Sequence, residues 1–210
     1  GSKIQQCINT DEYDNIKSVV NDYLKEGIAH TLDETRNLSD SGQFEDISLQ
    51  QGIRQILYPY EEMEVLNPEW EVILKDIIDS LFEQMSDEEY NILNEEFGTY
   101  MVSRAYEYRQ LLEYLVFRYF AKSIYDYDFL GKCQMLVTNF FVIRQMDIIR
   151  WLDNHREYSF KDRMDVVHIF SRQVEYSEDN IENLYEDFIF DDIFKTDSLI
   201  AILWIDSENI

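Results

Sequence analysis

Apolar residues recur along most of this chain with the spacing of one face of an α-helix, and this constrains its fold most strongly. Between Asp11 and Glu26 the apolar side chains fall at i, i+3, i+4, i+7 and i+8: Ile16, Val19, Val20, Tyr23 and Leu24. This spacing places them on one side of a helix. The chain of 210 residues has six glycines and two prolines, and no segment alternates regularly between apolar and polar residues. The sequence therefore predicts an all-α fold, an irregular multi-helix bundle of about eight helices.

Several helix boundaries carry local signals. Four side chains that can accept a hydrogen bond from a free backbone N–H precede apolar runs: Asn67 before Pro68, Ser86 with Glu89, Ser159 with Asp162, and Ser177. Residues of this kind begin helices. Pro59 and Gly98 are expected to end helices, because proline cannot donate to the preceding turn and glycine favours the left-handed cap.

The two most apolar segments, 99–125 and 129–152, predict a central antiparallel helical hairpin that turns at residues 126–128. Gly1 and Ser2 have the composition of a cloning scar. Residues 3–210 are expected to form a single helical domain, with a helix over 3–30 attached loosely through a polar, flexible loop over 31–47.

The chain is strongly acidic. Eighteen Lys and Arg stand against 43 Asp and Glu, a net charge of −25. A chain with this charge is not expected to bind nucleic acid or an anionic membrane surface. The longest uncharged run is the 11 residues between Lys132 and Arg144, too short to cross a bilayer. With two cysteines and no disulfide framework, the expected location is the cytoplasm.

The acidic residues lie mainly at the two ends of the chain. Residues 1–98 carry 6 basic and 23 acidic side chains, residues 99–172 carry 11 and 9, and residues 173–210 carry 1 and 11. Two interpretations stay open. The acidic flanks are either a docking surface for a lysine-rich partner or the solvated faces of helices that keep the protein soluble.

A polar stripe is predicted on the helix over 160–176. His168, Arg172 and Glu175 fall at i, i+4 and i+7, with Asp165 at the edge. Such a stripe can orient a substrate amine or carboxylate, or it is an exposed face on which Arg172 pairs with Glu175. Asp165 and His168 form a single D-x-x-H step with no second copy, so no metal site is expected.

Three segments resemble the C-terminal region of the bacterial flagellin lysine-N-methylase family: LEYLVFRYF at 112–120, VTNFFVIRQMDIIRWL at 137–152 and DVVHIFSRQVEYSEDNIEN at 165–183. The clearest element is a pattern of the type SRxxE followed by SEEN: Ser171, Arg172, Glu175, Ser177, Glu178 and Asn180. NPEW at 67–70 resembles the segment that precedes the helical tail in this family. The resemblance covers roughly residues 55–190.

The resemblance implies methyl transfer from S-adenosylmethionine to lysine side chains of flagellin, which would be the partner. The chain departs from the family at Tyr176, where the family has His. It also lacks the cysteine-rich N-terminal cluster, which in the family is taken to hold a metal or an iron–sulfur centre. No glycine-rich phosphate loop is present. A Rossmann-type donor site is therefore not expected in these residues, and the donor would bind to the part of the enzyme outside them or in an unfamiliar helical pocket. The chain is expected to hold no cofactor and to be inactive alone, as the C-terminal part of a larger enzyme.

The residues expected to dock substrate are those of the motif and the stripe: Arg172 and Glu175 first, then Ser177, Glu178, Asn180 and His168. A structural alternative is that Arg172, Glu175 and Glu178 tie the end of one helix to the start of the next. The alternative to an enzyme domain is a non-enzymatic acidic adaptor that binds a basic protein.

Overall fold

The structure, a computed structural model, describes residues 2–25 and 47–208, and all regular elements within these ranges are helical. The predicted all-α class is confirmed. The helices in chain order are α1 Ser2–Asn9, α2 with residues 13–25 described, α3 Leu49–Glu61, α4 Pro68–Ile77, α5 Asp87–Met101, α6 Ala105–Phe120, α7 Ser123–Asp126, α8 Phe129–Asp153, α9 Phe160–Phe170, α10 Glu178–Phe190 and α11 Thr196–Glu208.

Shorter turns extend or join these helices. Two are π-helical, Ile78–Glu83 after α4 and Ser171–Glu175 after α9. Two are 3₁₀ turns, Val102–Arg104 between α5 and α6 and Asp192–Phe194 between α10 and α11. No helix in the described ranges is long and apolar enough to span a membrane.

The four predicted helix starts are confirmed. Each N-cap side chain accepts a hydrogen bond from a backbone N–H in the first turn: Asn67 from Glu69, Ser86 from Glu89, Ser159 from Asp162, and Ser177 from Asn180. At Ser86 and Ser159 the acidic side chain three residues on accepts from the cap N–H in return. These capping boxes satisfy donors that a helix start leaves free.

The two predicted helix ends are wrong. Helix α3 continues through Pro59 to Glu61, and α5 continues through Gly98 to Met101. Tertiary contacts outweigh both local signals: the hydroxyl of buried Tyr60 donates to Asn139 at 2.7 Å, which anchors the turn after the proline. Gly98 is buried in the core-facing side of α5.

Helix α8 is buried nearly all round. Of its 25 residues, 16 are buried, and it contacts helices α1, α3, α4, α6, α9, α10 and α11. Helix α6 lies against it, with the Tyr108 hydroxyl donating to Asp147 at 2.8 Å and the rings of Phe120 and Phe129 5.1 Å apart. A helix that is buried on nearly all sides lies in the centre of a bundle. The arrangement of the two segments as a central antiparallel hairpin stays a prediction.

At the N-terminus, α1 contacts α8. The Gln5 side-chain oxygen accepts from the backbone N–H of Phe129 at 2.7 Å and of Leu130 at 3.0 Å, and Cys7 is buried. The predicted helix over 11–26 is present over 13–25, while the glycine at 27 and the predicted loop over 31–47, except residue 47, lie outside the described residues. The single domain with a loosely attached N-terminal helix stays a prediction.

Charged side chains inside the bundle are paired. Asp147 on α8 is fully buried and accepts from the guanidinium of Arg163 and from the hydroxyls of Tyr108 and Tyr158. Burial raises the pKa of the Asp147 carboxyl above its usual range, because it outweighs the opposing effect of the Arg163 guanidinium. Arg163 also lies 3.5 Å from a carboxylate oxygen of Glu107. Buried charges are tolerated only when paired in this way.

Replacing Arg163 by methionine should lower the free energy of unfolding by about 3–5 kcal/mol, because Asp147 is left buried without a cation. Urea denaturation measures the loss. The matched control is Glu96→Gln, whose exposed ion pair with Arg156 is expected to contribute less than about 1 kcal/mol. A loss at Arg163 no larger than the control would contradict this account of the core.

Candidate functional site at the end of helix α9

The end of α9 departs from regular helical spacing. Residues 171–175 form a π-helical turn, which widens the helix by one residue. As a result Gln173, Val174 and Glu175 are all buried, whereas His168 and Arg172 stay exposed. The predicted stripe of His168, Arg172 and Glu175 on one face is therefore wrong, because the wide turn rotates Glu175 into the protein.

Glu175 is held by residues of α6 and by its own turn. Its carboxylate accepts from the hydroxyls of Ser171 at 2.7 Å, Tyr114 at 2.8 Å and Tyr119 at 3.2 Å, and lies 3.9 Å from Arg118 Nε. The predicted pairing of Glu175 with Arg172 is therefore wrong, and Arg118 is its cationic neighbour. Burial, with Glu175 nearby, raises the pKa of Tyr114 to about 12.

Asn180 and Gln173 clamp the segment that joins α3 to α4. The amide of Asn180 donates to the carbonyl of Glu64 at 3.1 Å and accepts from its N–H at 3.0 Å. The amide oxygen of Gln173 accepts from the N–H groups of Leu66 at 2.9 Å and Asn67 at 3.2 Å. Both side chains are fully buried. The clamp fixes the start of α4 relative to α9 and α10.

The clamp also joins α9 to α10, because the Asn180 amide donates to the carbonyl of Gln173 at 3.1 Å. The predicted alternative, in which Arg172, Glu175 and Glu178 join the two helices, is wrong. Gln173 and Asn180 make this connection instead. Ser177 caps α10, and Glu178 is exposed in its first turn. Sequence reasoning missed Gln173, although its place inside the SRxxE pattern was a usable signal.

An open cleft of about 510 Å³ lies between α4, the end of α8 and α9. Its charged and titratable lining residues are Glu69, Asp76, Arg150, Asp153, Asp165, His168 and Arg172. Of the predicted docking residues, the structure brings only His168 and Arg172 together here. Glu175, Ser177 and Asn180 are buried and Glu178 is exposed, and none of the four lines the cleft.

The cleft is rich in charges without partners. Among the described residues, none of its four carboxylates and neither of its two guanidinium groups forms an ion pair. Two further donors lack a hydrogen-bond partner, the Nδ2 of Asn67 and the Nε of Arg150. Asn67 itself is only 4% exposed. The arrangement suits a polar ligand that brings at least one positive charge, because carboxylates outnumber guanidinium groups by two to one.

Neither the cleft nor the rest of the described chain groups three or more His, Cys, Asp or Glu side chains as a metal ion requires. Asp165 and His168 are both in the cleft lining, next to each other on α9. They are therefore available to a ligand from solvent.

Fold and site together define an all-helical domain in which a buried amide clamp supports an open, mainly acidic cleft. Residues 2–202 match the model of the family described as the FliB lysine N-methylase C-terminal domain. The chain belongs to this family, so the resemblance is confirmed and extends well beyond the predicted residues 55–190. No curated protein and no solved structure matches the chain.

Replacing Asn180 by alanine should cost about 2–4 kcal/mol of unfolding free energy, because three hydrogen bonds to the α3–α4 segment and to α9 are lost in the core. The control is Glu178→Ala two residues earlier in the same motif, which is exposed and should cost less than about 1 kcal/mol. Thermal and urea unfolding compare the two. Equal losses would contradict the clamp.

The capping box of α9 should make stability depend on pH. Slight burial raises the pKa of Asp162, but hydrogen bonds from Ser159 and Asn154 outweigh it and lower that pKa below the usual range. A carboxyl with a lowered folded pKa stabilises the fold above its unfolded pKa and loses that contribution as the pH falls through the folded pKa.

Asp162→Asn should therefore lower the unfolding free energy at neutral pH by less than about 1 kcal/mol. Its difference from wild type should shrink as the pH falls from neutral through the folded pKa of Asp162. Urea titrations across this range measure it. In a Ser159→Ala background the pH dependence of the same substitution should shrink. A difference that grows on acidification would show that Asp162 is not stabilised by its cap.

Proposed function

We propose that this chain is the C-terminal domain of a flagellin lysine N-methylase and that the cleft between α4, α8 and α9 docks a lysine-bearing segment of flagellin. Membership of the family supports the reaction class. The observation that carries the docking role is the set of unpaired carboxylates in the cleft: Glu69, Asp76, Asp153 and Asp165. They attract an ammonium group, while Arg172 and Arg150 are placed to receive a carboxylate or carbonyl of the same segment.

The charge of the cleft favours docking over methyl transfer itself. Transfer needs a neutral lysine amine, whereas neighbouring carboxylates stabilise the ammonium form and raise the lysine pKa. A step that removes the proton would require a base, and His168 is the histidine in the lining of the cleft. We therefore propose that this domain recognises and orients the lysine segment, and that transfer occurs where the donor is bound.

S-adenosylmethionine is proposed to bind with residues outside this domain, and on the resemblance a cysteine-rich N-terminal part would hold a metal or an iron–sulfur centre. The described residues offer no glycine loop at a strand end, since they contain no strand. The domain would then serve as a docking scaffold for that part. In this proposal the flagellar role comes from the family, and the cytoplasmic location comes from the two cysteines, which form no disulfide framework.

The test uses the full-length enzyme, flagellin and radiolabelled S-adenosylmethionine. The variant Asp153→Asn/Asp165→Asn removes two charges from the cleft without changing side-chain size. It should raise the KM for flagellin about tenfold with little change in kcat, since it weakens binding rather than chemistry. The matched control, Glu178→Gln/Glu182→Gln, removes two exposed charges outside the cleft and should change KM less than about twofold.

An equal rise in KM for both pairs would show that overall charge, not the cleft, recruits flagellin. A fall in kcat at constant KM would assign the two carboxylates to the transfer step and overturn the docking role. If this domain alone transferred label to lysine, the proposal that docking and methyl transfer belong to separate parts of the enzyme would be overturned.

A second candidate is an acidic adaptor that binds a basic protein without chemistry. The strong net charge of −25 favours it. The two functions differ in the full-length protein, because an adaptor would hold its partner in a salt-sensitive complex with no label transferred to lysine.

A further inference from the structure

Asn67, at the start of α4, keeps one polar group without a partner among the described residues. Its side-chain oxygen accepts from the N–H of Glu69 at 3.2 Å, its own N–H donates to Gln173 at 3.2 Å, and its carbonyl accepts from Trp70 at 2.9 Å. The amide nitrogen Nδ2 is the donor left over, in a residue that is 4% exposed. Buried donors normally have an acceptor. Because Asn67 lines the open cleft, a ligand in the cleft can supply that acceptor.

Arg172 lies at the same end of the cleft as Asn67. It directly precedes Gln173, whose side-chain oxygen accepts from the N–H of Asn67, and both Arg172 and Asn67 line the cleft. Arg172 is exposed and forms no ion pair with another described residue. Glu69 also belongs to this end, but it is exposed and does not pair with Arg172. An amide donor and a guanidinium are therefore available together to an oxygen of a ligand.

Two carboxylates of the cleft, Asp153 and Asp165, lie at its opposite end. Asp165 is seven positions before Arg172, about 10 Å along the axis of α9. Asp153 is close to this end of α9, because the side chain of the next residue, Asn154, donates to Asp162 at 2.9 Å. Asp162 is one helical turn before Asp165. The acidic end of the cleft is thus separated from Asn67 and Arg172.

The second guanidinium of the cleft, that of Arg150, belongs to the acidic end, since its charge contributes to the lowered pKa of the Asp162 carboxyl. A ligand that uses both ends carries an ammonium group and, about 10 Å away, an oxygen acceptor. A carboxylate suits the second position better than a neutral carbonyl. Arg172 has no anionic partner among the described residues, and charge-assisted hydrogen bonds are about twice as strong as neutral ones.

We propose that the cleft selects lysine segments that carry an acidic side chain near the lysine, and that Asn67 and Arg172 bind its carboxylate. This inference rests on the proposed docking of lysine in the cleft and adds Asn67 as a specificity-determining residue. Lysine and glutamate side chains together span the separation when the two residues lie within about four positions of each other. Asn67 has two roles in this proposal: its oxygen caps α4, and its nitrogen donates to the ligand.

The test measures the binding of fluorescein-labelled peptides to the 210-residue chain by fluorescence anisotropy. The peptides share a neutral background of glycine and serine. In the Lys/Glu set, glutamate lies two, three or four positions from a single lysine, on either side. In the matched Lys/Gln set glutamine replaces the glutamate, and in a third set norleucine replaces the lysine. At one or more spacings the Lys/Glu peptide should bind about tenfold more tightly than both of its matched peptides.

Asn67→Asp separates the two roles of Asn67. Aspartate caps a helix as well as asparagine does, so the midpoint of urea unfolding should be retained, but an anionic acceptor replaces the donor. The Kd for the Lys/Glu peptide should rise about tenfold, whereas the Kd for the Lys/Gln peptide should be unchanged or lower. Asn67→Ser keeps a cap oxygen without adding charge and should raise the Kd for the Lys/Glu peptide by a smaller factor, about threefold.

The matched control is Asn183→Asp, the same chemical change at an exposed residue of α10 outside the cleft. It should leave the Kd values for both peptides within about twofold of wild type. Circular dichroism melts check that all variants fold. If Asn67→Asp had no larger effect than this control, the role of Asn67 in binding would be overturned.

The remaining outcomes separate this inference from the docking proposal. Equal binding of Lys/Glu and Lys/Gln peptides at every spacing would overturn the preference for an acidic neighbour and leave lysine docking intact. If Asn67→Asp weakened both kinds of peptide equally, Asn67 would bind a backbone carbonyl and the carboxylate site would be overturned. If no lysine peptide bound, or if Asp153→Asn/Asp165→Asn left binding unchanged, the docking proposal would fail and this inference with it.

Discussion

The structure depends on the burial of α8 with its charged side chains paired. Within a helix surrounded by protein, a carboxylate or guanidinium needs a partner, because leaving one buried charge unpaired costs about 3–5 kcal/mol, a large part of the net stability of a domain. Asp147 is paired with Arg163 of α9, and Arg144 with Asp206 of α11 at 3.1 Å. These pairs fix where the neighbouring helices lie and how they are rotated about their axes.

The position of the cleft follows from that arrangement. Because α9 is fixed on α8, its π-helical turn directs Glu175 towards α6 and leaves Arg172 beside α4. The amides of Gln173 and Asn180 then hold the segment that leads into α4. Of the family motif, Arg172 lines the cleft and Asn180 holds the segment that leads into α4. The other charges of the cleft lie on α4, α8 and α9. This separation explains why a short motif can mark a site without supplying its surface.

Much of the fold was predictable from local sequence. The N-caps at Asn67, Ser86, Ser159 and Ser177 act within four residues, and the apolar spacing reports helices directly. The predicted ends at Pro59 and Gly98 failed because core contacts outweigh the cost of one missing hydrogen bond or one flexible residue. Of the six predicted docking residues, the two in the cleft, His168 and Arg172, were found by helical spacing, and Glu175 was misplaced because a π-turn leaves no reliable mark in sequence.

By itself the sequence determined the all-helical class, the helix starts, the uneven charge and the resemblance to the methylase family, since each depends on residues close together in the chain or on composition. Only the tertiary structure decided which carboxylates share a cleft and which partner Glu175 takes. These are contacts between residues far apart in sequence, such as Asn180 and Glu64, and they exist only once the helices pack and fix one another's rotation.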